Sequence, residues 1–305
     1  MKGNDKRLNK YMDNILAREE AGIIPKQGNR ALHKFFSNKI ATLGLVLFGI
    51  IVFMCIAAPV FTEYDPQAID LRNILSTPTK EHLLGTDKTG RDVFARILYG
   101  GRVSIFIGFG SALGVTILGV FLGCISGYKG GKFDMILMRI SELFGFFPQI
   151  ILNLLMVTMV GQGVSNLIFV FIFTGWGGIY RMMRAQMLSL REEEYVQALK
   201  VQGLSTFKIC FFHILPNAFG PVIVNVSNNT ADFILSEAAL SFMGLGVPMN
   251  TPTWGNILNV ANDLTVLKDN WWLWLPVGAI ISLFVLSINF IGDGLRDSAD
   301  PSQQG

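Results

Sequence analysis

Six long apolar runs alternate with polar segments along the chain. Each run holds roughly 20 residues or more, the length that a helix needs to cross a hydrocarbon layer about 30 Å thick. Lipid offers the backbone no hydrogen-bond partners, so runs of this kind are expected to be helices. The six predicted membrane-spanning helices cover residues 40–61, 103–127, 134–160, 166–184, 218–246 and 272–294. The pattern predicts an all-α polytopic membrane protein.

The third run is the least uniform of the six. It begins with charged residues at Asp134, Arg139 and Glu142, and it contains Pro148. Because proline interrupts the hydrogen bonds of a helix, this run is expected either to begin as an interfacial segment or to bend at Pro148.

The fifth run carries polar residues on one side of its predicted helix. At 100° per residue, five side chains fall within about 100° of one face. They are Asn225, Asn228, Asn229, Asp232 and Ser236, which we call the polar stripe. An aspartate at mid-membrane costs about 2.5 kcal/mol or more, so the stripe is expected to line a translocation path or, alternatively, to form hydrogen bonds between helices. Glu237 lies off the stripe and is expected to be an outer-edge contact.

Composition and charge place the chain in a bilayer. It has 305 residues, of which 51% are hydrophobic and only 15% charged. Most Lys and Arg residues fall before the first run, in the second inner turn and between the fourth and fifth runs, so these segments and both termini are predicted to be cytoplasmic. This asymmetry accounts for the net charge of +3, and no nucleic-acid partner is predicted. The first 39 residues are polar and basic and do not resemble a secretory signal.

The segment between the fourth and fifth runs, residues 185–217, has the character of a docking arm. It contains Glu194-Tyr-Val-Gln-Ala-Leu-Lys-Val-Gln-Gly203 and, thirteen positions after the glycine, Pro216 within His213-Ile-Leu-Pro-Asn217. A helix-prone, charged arm with a glycine joint is expected to bind another protein. The spacing resembles the cytoplasmic loop, E-A-A then glycine then I-x-L-P, in permease subunits of binding-protein-dependent ABC importers.

A second motif lies in the outer loop, which follows the first run from residue 62. It reads His82-Leu-Leu-Gly-Thr-Asp-Lys-Thr-Gly-Arg-Asp92 and resembles H-L-L-G-T-D-x-x-G-R-D in the C-type subunit of the dipeptide, oligopeptide and nickel branch of these permeases. The next residues predict an amphipathic helix along the outer membrane surface, with Phe94, Ile97 and Leu98 on one side. The residues expected to contact an outside partner are Gly85, Thr86, Asp87, Gly90, Arg91 and Asp92.

The resemblance covers residues 35–301 and implies the type I ABC importer transmembrane-domain fold, with six transmembrane helices surrounded by membrane lipid in a bacterial or archaeal cell membrane. It implies a heterodimer with a second, B-type permease subunit. It also implies two ABC ATPase subunits and an extracytoplasmic binding protein that delivers a peptide. The implied organisation is a tail at 1–39, the first span and outer loop at 40–102, a permease core at 103–294 with the coupling loop at 185–217, and a tail at 295–305.

The resemblance also assigns roles within the arm. In register, the family's E-A-A falls on Gln197, Ala198 and Leu199, while Glu194 lies one helical turn earlier and is placed to substitute for the family's glutamate. A short helix from about residue 200 to 210 is expected to press Leu204 and Phe207 into a groove on an ATPase subunit. The residues expected to couple to the ATPase are Glu194, Gln197, Ala198, Gly203, Leu204, Phe207, Lys208 and Pro216.

Several other functions are excluded or kept as alternatives. No G-x-x-x-x-G-K-[ST] sequence occurs, so the chain is not expected to be an enzyme, and ATP hydrolysis falls to partner subunits. The three histidines are dispersed and predict no metal site, no cofactor is predicted, and Cys55, Cys124 and Cys210 are expected to be packing residues. The alternatives are a nickel or metal-chelate permease of the same branch and an ion-gradient-driven secondary transporter.

Overall fold

A computed structural model describes residues 33–299, and within this range the secondary structure is helical apart from one isolated β-bridge between Thr86 and Asp92. The labelled helices are α1 Lys39–Ile56, α2 Val93–Lys129, α3 Gly131–Gly145, α4 Gln149–Val160, α5 Val164–Leu190, α6 Glu194–Val201, α7 Phe219–Phe242, α8 Trp254–Leu258, α9 Leu264–Asp269 and α10 Leu275–Ala299. Shorter pieces are the helical turns Ala58–Phe61 and Thr206–Lys208, the π-helix Ile209–Ile214, and the 3₁₀ turns Leu215–Ala218, Asn259–Asn262 and Trp271–Leu273. The tails expected at 1–39 and 295–305 lie largely outside the described residues.

The described helices match the predicted number and order of membrane spans. Five continuous helical stretches are long and apolar enough to cross a bilayer: Lys39–Ile56, Val93–Lys129, Val164–Leu190, Thr206–Phe242 and Trp271–Ser298. A sixth span is formed if the bent pair α3 and α4 is counted as one. The two helices of this pair meet at 95°, and Pro148 is the residue before α4, so the predicted bend at the proline is confirmed.

The second span begins ten residues earlier than the apolar pattern predicts. α2 runs without a break for 37 residues from Val93, so the expected separate amphipathic helix on the membrane surface is wrong. Ile97 and Leu98 are buried, because this first part of α2 packs inside the protein rather than on lipid. Polar residues in this stretch also find partners within the fold: Arg102 donates to the Cys55 and Ile56 carbonyl oxygens at 2.6 Å each.

Small residues allow α2 and α5 to pack closely. A Cβ atom at Gly123 would lie 2.8 Å from Met183 Cβ, and one at Gly127 would lie 2.7 Å from the Arg184 carbonyl oxygen. Small residues commonly allow the backbones of membrane helices to approach each other in this way. The buried side chains Cys124 and Cys210 belong to the same core as these helices, and all three cysteines are free and buried, as expected of packing residues.

Two arginines of α5 hold α3 against the bundle. Arg184 forms a bidentate pair with Asp134, with nitrogen-to-oxygen distances of 2.5 and 2.6 Å. Arg181 donates to the Ser141 carbonyl and hydroxyl oxygens at 3.1 and 3.0 Å. A bidentate guanidinium fixes both the distance and the orientation of the carboxylate that it binds. α3 is therefore held against α5, and its axis is roughly perpendicular to that of α4.

Candidate coupling arm, polar stripe and outer loop

The arm begins with a short helix that ends at a glycine. α6 spans Glu194–Val201 and is anchored by Val196, which is 1% exposed in the core. At Gly203 the φ angle is +79°, a left-handed conformation that glycine adopts without strain. Nothing lies within 4 Å of a Cβ built there, so Gly203 is required by the direction of the chain rather than by packing.

After Gly203 the chain re-enters helix and continues into the fifth span. The turn Thr206–Lys208 leads through the π-helix and the 3₁₀ turn that contains Pro216 into α7. The predicted helix over residues 200–210 is therefore wrong: the arm helix lies before the glycine, and the segment after it belongs to the span. The Phe207 ring packs on Phe211 with centroids 4.6 Å apart, and Phe211 in turn packs on Phe121 of α2 at 5.8 Å.

Most of the coupling residues predicted in the arm are exposed. The exposed residues, which we call together the exposed face of the arm, are Glu194, Gln197, Ala198, Gly203, Lys208 and Pro216, with the apolar side chains Val201 and Phe207, which are 89% and 55% exposed. Leu204 differs from the expectation, because it is half-buried and packs against the core rather than facing outward. Val201, the last residue of α6, was not among the predicted coupling residues.

An amide side chain closes the arm onto the start of α7. Asn217 donates one N–H to the Tyr195 hydroxyl at 3.2 Å and one to the His213 carbonyl oxygen at 3.1 Å. Tyr195 lies on α6, before the glycine joint, and Asn217 lies after Pro216. The two ends of the arm are thus connected directly by a hydrogen bond.

The polar stripe lies along α7 as predicted by its periodicity. In the single chain Asn228 and Asp232 are exposed, whereas Asn225, Asn229 and Ser236 are half-buried. Asn225 donates back to the Pro221 carbonyl oxygen at 2.9 Å. An exposed aspartate in a helix that spans a bilayer calls for a polar neighbour or water, so this face of α7 is not suited to lipid.

Glu237 is not an outer-edge contact. Its side chain is fully buried, and both carboxyl oxygens accept hydrogen bonds, from Ser104 at 2.9 Å and from Ser241 at 2.8 Å. The helical angle places it off the polar stripe correctly but does not reveal its partners, because Ser104 lies 133 residues away in sequence.

Most polar side chains of the outer-loop motif point into the protein rather than towards an outside partner. Asp92 caps α2 by accepting from the Ala95 N–H at 2.6 Å, and its other oxygen lies 2.9 Å from His82 Nδ1. Asp87 accepts from Arg91 at 2.7 Å and from the Thr89 hydroxyl at 2.8 Å. Both carboxylates and Thr86 are buried. The expectation that these side chains present charge to an outside partner is therefore wrong for Thr86, Asp87 and Asp92, and Arg91 is only half-exposed.

The electrostatics of Asp87 follow from this arrangement. Burial raises the pKa of its carboxyl, but the hydrogen bonds from Thr89 and the nearby Arg91 guanidinium outweigh burial and hold the pKa below the ordinary 3.8. The buried Arg96 lies 3.7 Å from the same carboxylate. Asp87 is therefore ionised near neutral pH, and it pairs with Arg91 of the outer loop and Arg96 of α2.

The glycines of the motif are required by packing. Gly85 and Gly90 have φ angles of +69° and +76°. A Cβ atom at Gly90 would overlap the Asp70 carbonyl group, and one at Gly85 would overlap the Ser76 carbonyl oxygen and lie 2.8 Å from the Trp272 ring. The motif closes the outer loop on itself and onto the start of the sixth span.

Comparison with known proteins identifies the family to which these features belong. Residues 119–304 match the family described as binding-protein-dependent transport system inner membrane component, which is more than half of the chain. The chain belongs to this family. Residues 26–78 also match the N-terminal transmembrane domain of oligopeptide transport permease C. The chain is thus a multi-pass membrane transport subunit with the type I ABC importer transmembrane-domain fold, and its membership does not favour an ion-gradient-driven secondary transporter.

Curated relatives resemble this permease over nearly its whole length. It is 40% identical to a putative peptide permease protein of Brucella suis biovar 1 over 272 residues, which are 89% of this chain and 90% of the relative. It is 38% identical to the oligopeptide transport system permease protein OppC of Bacillus subtilis, again over 89% of this chain and 88% of the relative. The dipeptide transport system permease protein DppC of Alkalihalophilus pseudofirmus is 37% identical over 90% of each chain.

Proposed function

We propose that this permease is the C-type half of the translocation path of an ATP-driven importer for oligopeptides or dipeptides. A B-type permease subunit completes the path, two ABC ATPase subunits supply the energy, and an extracytoplasmic binding protein delivers the peptide. The peptide substrate is supported by the relatives named above, all of which are described as peptide permeases. Nothing in the described residues favours the nickel alternative, and no group of three His, Cys, Asp or Glu side chains gathers there.

The observation that carries the coupling role is the exposed face of the arm. The apolar side chains of Val201 and Phe207 are exposed. The arm that carries them is linked to the start of the fifth span by the hydrogen bond from Asn217 to Tyr195. Isolated exposed apolar residues are common, but here they flank the glycine joint and stand beside Gln197, Ala198 and Lys208. We assign this face to an ATPase subunit, with the arm and both termini in the cytoplasm.

The polar stripe is assigned to the path. The exposed Asp232 and Asn228 of one chain would face the second permease subunit across a wet passage. ATP-dependent movement of the arm would reach the stripe through Pro216 and Asn217, which lie in the same continuous helical stretch as α7. The path alternates between two access states, each favoured by a different ligand: ATP on the inside and the loaded binding protein on the outside.

The function is tested by reconstitution. The permease would be purified with its co-expressed partners, placed in vesicles, and supplied with a labelled peptide carried by the binding protein. We expect uptake that requires both ATP inside and the binding protein outside, and that persists when ion gradients are collapsed. Uptake that follows an ion gradient without ATP, or a binding protein that carries nickel rather than peptide, would contradict the proposal.

A further inference from the structure

Glu237 lies in a cage of hydroxyl groups where α2, α7 and the segment before α8 meet. Ser104 and Ser241 donate to its two oxygens at 2.9 and 2.8 Å, and the Thr253 side chain lies close to the same carboxyl group. All four side chains have no exposed surface. No Lys, Arg or His of the described residues lies within salt-bridge distance of the carboxyl group, so hydroxyl groups alone are its partners.

The hydroxyl groups of the cage are also bonded to the backbone. The oxygen of each hydroxyl already accepts a backbone N–H, and each hydroxyl has a single proton to give. The backbone bonds are Trp254 N to Ser104 Oγ at 3.1 Å, Val247 N to Ser241 Oγ at 3.4 Å and Asn256 N to Thr253 Oγ1 at 3.1 Å. The protons of the two serine hydroxyls are directed to Glu237, which accepts one hydrogen bond on each oxygen.

Close backbone packing surrounds the cage. A Cβ atom at Gly100 of α2 would lie 3.2 Å from Thr253 Cα, and one at Gly255 would lie 2.7 Å from Ala238 Cα of α7. The Trp254 ring N–H donates to the Ile97 carbonyl oxygen of α2 at 3.0 Å. The segment 247–256 is thus wedged between two spans, and Glu237 is the group that all three parts share.

We propose that Glu237 is a positioning residue that fastens segment 247–256 to α2 and α7, so that these parts move as one body. This inference rests on the proposed import function, in which the segment lies outside the cell. Ser236 is the adjacent residue, and Asp232 lies about 8 Å further along the helix axis. A displacement of the outer segment by the binding protein is then passed to the polar stripe without a flexible joint between them.

The test uses the whole complex in lipid nanodiscs with Glu237→Gln. The glutamine side chain keeps the shape but turns one acceptor into a donor that faces a hydroxyl proton. We expect hydrogen exchange in peptides covering residues 247–256 to become about tenfold faster or more, because the lost bonds are buried. We also expect stimulation of ATP hydrolysis by the loaded binding protein to fall about tenfold, with basal hydrolysis within about twofold of the unmodified complex. The matched control is Glu81→Gln, an exposed glutamate of the outer loop, which should change neither measurement.

The outcomes separate the cage from the import function. Unchanged exchange in Glu237→Gln would overturn the acceptor role of both oxygens, and faster exchange with full stimulation would overturn the positioning role. If the unmodified complex shows no ATP-driven uptake, the proposed function fails while the exchange result still tests the cage. Should Glu237→Gln not assemble, Ser104→Ala removes a single donor and is expected to speed exchange at Trp254 in particular; unaltered exchange there would contradict the proposal.

Discussion

The outer loop and the arm both depend on glycines at positive φ, yet the surroundings of these glycines differ. Gly90 is enclosed, so that a side chain would overlap the Asp70 carbonyl group, whereas Gly203 has open space around it. The polar groups differ in the same way: Asp87 is buried among its partners, while Glu194 and Lys208 of the arm are exposed. The loop is a closed brace within one chain, and the arm is an open surface suited to a second one.

The largest difference between the two regions is expected from alanine at the two glycines. Gly90→Ala should prevent closure of the outer loop and leave little folded permease, because both the backbone angle and the overlap oppose it. Gly203→Ala adds only the strain of the left-handed conformation, about 1 kcal/mol. Thermal unfolding of the purified permease pair measures the loss of stability in each variant. Equal losses of stability in Gly90→Ala and Gly203→Ala would contradict the distinction between the enclosed outer loop and the open arm.

A smaller effect is expected from the charges of the loop. Asp87→Asn leaves the buried Arg96 without its carboxylate and should destabilise the permease by about 3 kcal/mol. The matched control Asp263→Asn removes an exposed partner of Lys88 and should not measurably lower the unfolding temperature.

The same carboxylate gives a pH dependence of definite sign. Because the pKa of Asp87 is lower in the folded protein than its ordinary 3.8, its contribution to stability is complete above that value. The contribution is lost as the pH falls through the lower, folded-state pKa. Loss of the difference between the unmodified protein and Asp87→Asn already at pH 6 would contradict this assignment.

Uncoupling rather than unfolding is expected from a bulky residue at the arm's joint. Gly203→Val should leave the complex assembled but separate ATP hydrolysis from peptide uptake, because the exposed face of the arm changes direction at this residue. The ratio of peptide transported to ATP hydrolysed is the measurement. Unchanged coupling would remove Gly203 from the proposed mechanism.

The smallest effect on the protein is expected from single cysteine substitutions in the polar stripe, which are then tested with a thiol reagent. Asp232→Cys or Asn229→Cys should react with a water-soluble thiol reagent in at least one nucleotide state if the stripe lines a path. The buried native cysteines provide an unreactive background. Inertness in every state would favour interhelical hydrogen bonds between subunits instead.

Sequence alone predicted the spans well because lipid imposes their length and their apolar character. It placed the start of α2 too late because Arg96 and Arg102 read as loop residues, although both are paired inside the fold. The sequence also predicted Glu237 to be an outer-edge contact. The helical angle gives the face of the helix on which a residue lies, but not which residues of other helices pack against that face.

The candidate sites also contain features that the sequence predicts and features that it does not. Gly203 and the polar stripe were predictable because motif spacing and periodicity are local properties of the chain. The inward orientation of Asp87 and Asp92, the link from Asn217 to Tyr195 and the π-helix were not predictable. Each depends on how the backbone of the loop or arm folds back on itself, which neither motif spacing nor periodicity specifies.

The central claim is that the exposed face of the arm is held by an ATPase subunit, and site-specific crosslinking tests it most directly. A photoreactive residue at Phe207 or Val201 should capture an ATPase subunit in the assembled complex, and the same probe at Tyr64, exposed on the outer loop, should not. Capture from Tyr64 alone, or reaction of Phe207→Cys with a reagent confined to the outside of the cell, would contradict the account.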